Sequence, residues 1–549
     1  MKKKFLIVVF YFFYFSLAAQ KLSDYGWPLD PPFTISGNYG ELRPNHFHAG
    51  IDFSTRNQVN LPVYSVADGY VSRIKVSPYG YGHALYITHP GGRVSVYGHL
   101  NSFSIKVAEL VLKEQQLQKS FEVEILPRPQ TILVRKGEII GLSGNTGGSS
   151  GPHLHFEIRD EKSETPLNVL RLMEIPDKVR PVLQSLAVYN LADTSAPVFT
   201  GTYKMIARGD SLFGLSRTLV LDEGVIGFAF SGYDRMSSGG NANNIYAAQL
   251  YLDNTLIYGH ELSGIDFSEN RFVNEFSERI DRTKYQKCFM PALFPPGIYT
   301  TNLRRGRIFL RDTSVHRLKL LVWDEAGNKS VFEAGFRSTR LTGYMPPALN
   351  SDIFVKCEKD FLLLRDGIRL FIPKGTLYNS TPLVIANNIS SSSRIVIFPG
   401  MNLRNAINIG FEIPVALRAK AEKLVLKNAG SVYPGLAKND SVFFNVRSFG
   451  TFILYSDEHA PAIVYQKPHR KRRTATVRSL SYKISDKLSG ISKYSVYIND
   501  KWVLAQYDAK YDLLTYTFDE QTPSGNLNVK VLTEDRVGNI AEFQHVLVR

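Results

Sequence analysis

The sequence predicts a mainly β chain, with a compact antiparallel β-sheet domain followed by several β-sandwich-like domains. Short apolar runs recur between turns rich in Gly, Pro and Asn along most of its length. Tyr and Phe, both strand-favouring, number 29 and 34. A third observation is negative: one stretch alone, Val107–Ser120, places Leu110, Leu112 and Leu117 among Lys and Gln, and reads equally as a helix or a surface excursion. At 549 residues the chain exceeds a single hydrophobic core, and about three to five domains are expected. A hydrophobic fraction of 44% with 21% charged residues excludes disorder on a large scale.

Taken in order, the first element is MKKKFLIVVFYFFYFSLAAQ. Lysines, an apolar run from Phe5 to about Leu17 and then Ala18 and Ala19 make residues 1–19 a secretory signal peptide, cut near Ala19 or Gln20. An uncleaved anchor is the rival reading, but the run is shorter than the ~20 residues of a spanning helix. No cysteine lies near the cut, which disfavours a lipid anchor, and no later segment is long and apolar enough to span a bilayer. The chain is therefore expected to be exported, either periplasmic, associated with the cell envelope or secreted.

From Gly40 to about Ile175 strand-like runs alternate with Gly-containing turns, among them Pro62–Val66, Tyr70–Val76, Ala84–Thr88 and Arg93–Tyr97. Beyond residue 180 two stretches share a pattern. LVWDEAGNKSVFEAGF (Leu321–Phe336) and VLTEDRVGNIAEF (Val531–Phe543) each place an acidic residue before a Gly-Asn turn and a strand. Upstream, Tyr251-Leu252-Asp253-Asn254 and Tyr497-Ile498-Asn499-Asp500 read as hairpins. These regions, 180–340 and 462–549, resemble bacterial immunoglobulin-like sandwiches. Residues 345–460 are β-rich with no fold that the sequence names. The basic run Lys467–Arg473 between two strand-rich regions is a solvated linker or a docking patch.

A formal charge of +15 points to an anionic partner, and for an exported chain an envelope polymer fits better than nucleic acid. Cys288 and Cys357 cannot make a disulfide framework, and neither lies near a histidine cluster; one bridge between them would be permitted in an oxidising compartment.

Seven of the twelve histidines lie between His46 and His155. Three motifs hold the informative ones: Arg43–Asp52 (RPNHFHAGID), Val96–Leu100 (VYGHL) and Gly144–Glu157 (GNTGGSSGPHLHFE). In the third, Leu154, Phe156 and Ile158 alternate with His153, His155 and Glu157, so the two histidines of a half-buried strand point to one face. Two imidazoles side by side repel when both are protonated, and a metal ion relieves this. His48 and Asp52, four apart, share a face if their segment is extended. Two His, one carboxylate and a water constitute a catalytic zinc set with an open position.

Residues Gly40–Ile158 resemble the lysostaphin/LytM-type zinc endopeptidases, peptidase family M23. Their H-x-x-x-D motif is present at His48–Asp52, and GLSGNTGGSSGPHLHFE at Gly141–Glu157 nearly reproduces their Gly-rich loop and H-x-H. The resemblance covers about a quarter of the chain and makes residues 20–178 the peptidase domain. It implies one zinc per chain on His48, Asp52 and His155, with His153 and His99 catalytic. It selects His48 over the neighbouring His46, and leaves His83 and His89 to structural roles. His260-Glu261-Leu262-Ser263-Gly264 only begins like H-E-x-x-H, so no second zinc site is expected there.

The chain departs from the family in carrying more residues between His99 and Lys136, including Val107–Gln130. This insertion could edge the cleft and alter substrate choice. Peptidoglycan stem peptides or cross-links are the implied substrate, cleaved by a zinc-dependent metalloendopeptidase. A peptidase acting on protein and a non-catalytic wall-binding protein or activator of another hydrolase are the alternatives. With no helical Glu available as base, His153 is assigned that role, and His99 the oxyanion or the leaving amine. The reverse assignment stays open.

Overall fold

The structure, a computed structural model, describes residues 25–549 except 174–175, 192–196, 237–239, 295–296, 302, 340–350, 390–392 and 468–477. The expected signal peptide and most of the basic run after Lys467 lie outside the described residues.

The first part is a nine-stranded sheet in which every pair is antiparallel. Two short strands, β2 (Leu42–Arg43) and β3 (His46–Phe47), form a ribbon beside it. The sheet contains β1 (Ile35–Gly37), β4 (Ile51–Ser54), β6 (Gly69–Val76), β7 (His83–His89), β8 (Arg93–Leu100), β10 (Val123–Ile125) and β13 (His153–Asp160). These run in the order β1-β4-β13-β8-β7-β6-β10, with β11 (Leu133–Val134) on β6 and β14 (Pro166–Leu167) on β13. A second, three-stranded sheet joins β5 (Pro62–Tyr64), β12 (Ile139–Leu142) and β9 (Ser102–Phe103).

The alternation read in β13 is built as expected. Leu154, Phe156 and Ile158 are fully buried together with Ile51, Phe53 and Tyr97, leaving the other face of the strand to the histidines.

The ambiguous stretch is a helix, α1 (Ile105–Gln118). Val107, Val111 and Gln115, one helical turn apart, are its buried stripe, while Leu112 and Leu117 face outward. Lys119, left-handed at φ 48°, closes it by donating its N–H to Gln115 and Gln116. The helix lies against β9 and β10. A one-turn helix, α2 (Val169–Leu172), begins at Asn168, whose side chain accepts from Leu170 N at 3.1 Å.

Downstream, a six-stranded and an eight-stranded sheet within residues 182–339 share one core that includes Phe228, Leu250, Leu320 and Phe332. Residues 353–456 form a nine-stranded sheet around Leu370, Ile409, Phe444 and Phe452. Two four-stranded sheets within 462–548 enclose Leu480, Tyr482, Leu514 and Val529. Both expected hairpins are present. Asp253 and Asn254 at φ 47° and 68°, and Asn499 and Asp500 at 47° and 64°, supply the two positive φ values of a tight two-residue turn. Cys288 and Cys357 are both free and buried, each in a different core.

The hydrophobic core of the first part continues into later segments. Tyr246, Leu262, Phe272 and Phe276 pack with Tyr39, Leu42 and Phe47, and the last pair of sheets joins the same cluster.

Candidate active site

Strand β13 is the centre of the site. His155 is paired with Asp52 of β4 on one side and with Gly98 of β8 on the other, so all three occupy one level of the sheet and one face. His48 arrives from the loop after β3. The segment is not continuously extended, the condition on which alternation would put His48 and Asp52 on one face: β3 ends at Phe47 and β4 starts at Ile51. Between them Gly50 passes so close to β13 that a Cβ would lie 2.3 Å from the Phe156 carbonyl. The break swings His48 inward.

Three donor atoms converge. His48 Nε2 is 2.9 Å from His155 Nδ1 and 3.1 Å from Asp52 Oδ1, and His155 Nδ1 is 3.0 Å from the same oxygen. All three residues are buried. The opposite nitrogen of each ring has its own acceptor: His48 Nδ1 the Asn38 carbonyl at 2.8 Å, His155 Nε2 the Glu157 carboxylate at 2.7 Å. A carbonyl or carboxylate only accepts, so these nitrogens carry protons, and the facing nitrogens are left to a metal or, without one, to the proton that His155 shares with Asp52. The second oxygen of Asp52 accepts from Arg43 at 2.5 Å, and Glu157 also accepts from Arg159 Nε at 2.6 Å.

Electrostatics follow from this packing. Burial would raise the Asp52 carboxyl, but His48 and hydrogen bonds from the imidazoles outweigh it and hold Asp52 well below the carboxylate range. Burial lowers His155, yet its bonds to Asp52 and Glu157 raise it to about 9. Glu157, buried but facing Arg159, is drawn down to about 2. Burial chiefly lowers His48.

Two further histidines stand at the edge. His153, on the face of β13 shared with His155, has Nε2 3.4 Å from Asp52 Oδ1, and this nitrogen is buried with no hydrogen-bond partner. Its Nδ1 lies 2.8 Å from the Gly151 carbonyl and 3.1 Å from Ser149 Oγ. His99 follows Gly98 on β8 and by alternation would point away. A register shift between β7 and β8 and a left-handed φ of 59° at His99 turn it into the site. There its ring lies 4.7 Å from that of His153, and Nδ1 is 2.8 Å from the Thr146 carbonyl. Burial and then the two neighbouring imidazoles push His99 down to about 3.

The five residues singled out in the sequence are thus brought together. His46 is exposed and held by the Pro44 carbonyl at 3.0 Å. His83 stacks on Phe103 with its pKa lowered to about 4 by burial, and His89 bonds Asp68 O and Ser95 Oγ. His260 is buried against Tyr258, within the sheets that follow.

Sequence reasoning gave no role to Glu157, Arg43, Asn38 or Tyr81. Tyr81 stacks on His155 at 4.9 Å. Glu157 was legible, two residues past His155 on the same face; Asn38 and Tyr81 carry no pattern that would have marked them.

The donor set suits a metal. Ligands at ~2.0–2.1 Å around a tetrahedral zinc stand ~3.3 Å apart, and the 2.9–3.1 Å spacings of the three atoms are slightly tighter. Lone pairs of two neutral imidazoles and a carboxylate oxygen require a cation or a proton between them, and the unpartnered His153 nitrogen faces the same space.

A small antiparallel sheet here carries a His-Asp-His donor set with two further imidazoles alongside. Residues 46–123 and 129–168 match the family model "Peptidase family M23", and this part of the chain is an M23 peptidase domain. Over 112 residues the chain is 37% identical to the DD-carboxypeptidase/endopeptidase Mpg of Neisseria meningitidis, covering 20% of each. Over 138 residues it is 30% identical to the peptidoglycan DD-endopeptidase ShyA of Vibrio cholerae, covering 24% of this chain and 26% of the relative. The match thus spans a fifth to a quarter of these relatives. A solved zinc-containing peptidase from Vibrio cholerae is similar over 26% of this chain and 38% of its own, at 28% identity and a TM-score of 0.20.

Proposed function

We propose that the chain is an exported zinc-dependent metalloendopeptidase that hydrolyses peptide bonds in peptidoglycan stem peptides or cross-links. Its supporting observation is the convergence of His48, Asp52 and His155 within 3.1 Å, with the free Nε2 of His153 beside them. The relatives named for peptidoglycan cleavage support the substrate class. Residues 20–178 are the proposed catalytic unit, and 180–340, 345–460 and 462–549 the accessory β units. The charge of +15 supports an additional attraction to an anionic envelope polymer.

One zinc ion held by His48, Asp52 and His155 would lower the pKa of a bound water towards about 7 and polarise the scissile carbonyl. His153 takes the water proton at Nε2, since its Nδ1–H is committed to the Gly151 carbonyl. His99 faces the oxyanion or the leaving amine; its depressed pKa of about 3 means that it holds a proton only in passing. Arg43 and Glu157 fix Asp52 and His155.

Digestion of purified sacculi, with mass spectrometry of the released fragments, tests the reading. Chelator-sensitive release of peptides cut at stem or cross-link bonds is expected. Intact sacculi together with cleavage of a soluble protein substrate would instead favour a protein-directed peptidase.

A further inference from the structure

We propose that Asp177, Asp234 and Asp324 form a binding site for a divalent cation of the calcium class, at the junction between the M23 domain and the sheets that follow it. Asp177 belongs to the segment connecting α2 to the strand Val182–Asn190. Asp234 follows the strand Gly224–Tyr233, and Asp324 the strand His316–Trp323. One oxygen from each lies within 4.8 Å of the others. Calcium binds oxygens at ~2.3–2.6 Å, so two of its ligands stand at most ~5 Å apart, and a donor set of carboxylates alone suits a hard cation rather than zinc.

Among the described residues the trio is met by hydrogen-bond donors but by no cationic side chain. Asp324 accepts from Asn328 N and Nδ2, both at 2.8 Å, and Asp177 from Val179 N at 2.8 Å. Among the described residues no Lys, Arg or His forms an ion pair with any of the three. Asp234 is only 2% exposed, and its Oδ1 is buried without a hydrogen-bond partner. Leaving a buried carboxylate oxygen unmatched is costly. Burial, then Asp324 and Asp177, push the Asp234 carboxyl up to about 8, and Asp177 and Asp324 are raised as well. A cation would remove both the repulsion and the orphaned oxygen.

The arrangement recurs in the last pair of sheets. Asp457, Asp486 and Asp535 converge within the same distance. Asn539 bonds Asp535 and the Asp457 carbonyl, as Asn328 bonds Asp324 and the Asp177 carbonyl. There backbone N–H groups of Leu488, Ser489, Gly490 and Val537 donate to one oxygen of each aspartate, and among the described residues only the first trio has a buried carboxylate oxygen without a partner.

The position has a consequence for the peptidase. Glu325, next to Asp324, accepts from Asn38 and Asn168 at 3.3 and 3.4 Å. Asn244, next to Asn243, which bridges Asp234, bonds the Asn38 side chain in both directions. Asn38 in turn holds His48. A cation at the trio would fix the base from which His48 is braced.

The test is calcium chloride titration and thermal unfolding of the full-length protein, comparing the wild type with Asp234→Asn, and with His155→Ala as a control outside the trio. Asp234→Asn should lose one bound calcium per chain, whereas His155→Ala should lose none. In chelator Asp234→Asn should melt above the wild type, because one of three crowded carboxylates is gone. Calcium should raise the melting temperature of the wild type and leave that of Asp234→Asn unchanged. Asp177→Asn gives the same measurement if Asp234→Asn does not fold. No calcium bound to the wild type at millimolar concentration, equal calcium content and shifts in wild type and variants, or tighter binding of magnesium would each overturn the proposal.

Discussion

His155 lies between two carboxylates, and its behaviour without metal follows from them. Held at about 9 against an ordinary 6.5, it stabilises the metal-free fold fully below pH 6.5, and that contribution is lost as pH rises through 9. Asp52 and Glu157 are shifted the opposite way, so their contributions persist at neutral pH and vanish only in acid. Metal entering at pH 7 must therefore displace a proton. Calorimetric titration of zinc in buffers of differing ionisation heat should read about one proton released per ion, falling towards none above pH 9. Asp52→Ala or His155→Ala should abolish bound zinc by elemental analysis, while His46→Ala keeps it. His99→Ala and His153→Ala should keep the metal and lose turnover by roughly 10²–10⁴-fold; loss of zinc in either would make that residue a ligand. Glu157→Gln should weaken zinc binding by about 10–100-fold. A strand's period of two made it legible that His153, His155 and Glu157 share a face, whereas the ligand set His48, Asp52 and His155 came from the resemblance to the family motifs. Asn38 was not legible, since its partners are 206 and 287 residues away and no local periodicity encodes them.

At the scale of elements, two loops beside His99 press backbone against backbone. Gly82 and Gly147, at φ 64° and 69°, each leave room for the other: a Cβ on Gly82 would lie 2.3 Å from Thr146 Oγ1, and one on Gly147 2.3 Å from Gly82 N. Thr146 sits between them with its carbonyl on His99. Gly82→Ala or Gly147→Ala should therefore cost about 1–3 kcal/mol of stability, measured by denaturant unfolding, and reduce turnover with zinc retained. A variant that unfolds earlier yet keeps full turnover would separate this contact from His99. The Gly-rich loop itself was visible in the sequence at Gly141–Glu157. Its interlocking with residues 80–82 did not, because that contact depends on where β7 and β8 shift register.

On the scale of the whole molecule, the catalytic sheet does not stop at its own last strand. Phe47 meets Phe276 edge to face at 5.5 Å, and Tyr39 Oη accepts from Ile265 N at 2.7 Å. Lys510, from the last pair of sheets, reaches the Asn145 carbonyl on the Gly-rich loop. A chain ended after Arg180 loses these partners and exposes Tyr39, Leu42 and Phe47. It should unfold at lower temperature, by on the order of 1.5–3 kcal/mol for each apolar side chain uncovered, and hold zinc less tightly. Equal melting temperature and zinc affinity in the two chains would show that the shared core contributes nothing to the site. The succession of strands was readable from turn spacing; which sheets lean on which was not, because apolar residues at such contacts look like any other core positions.

The brace on His48 also sets an order in time. Asn38 is synthesised 287 residues before Glu325, and Asn145 365 residues before Lys510. At ~5–20 residues per second the first delay is roughly 15–60 s. The histidines of the site are made before the groups that brace them, so the geometry around His48 is complete only once residues through Glu325 have joined the fold.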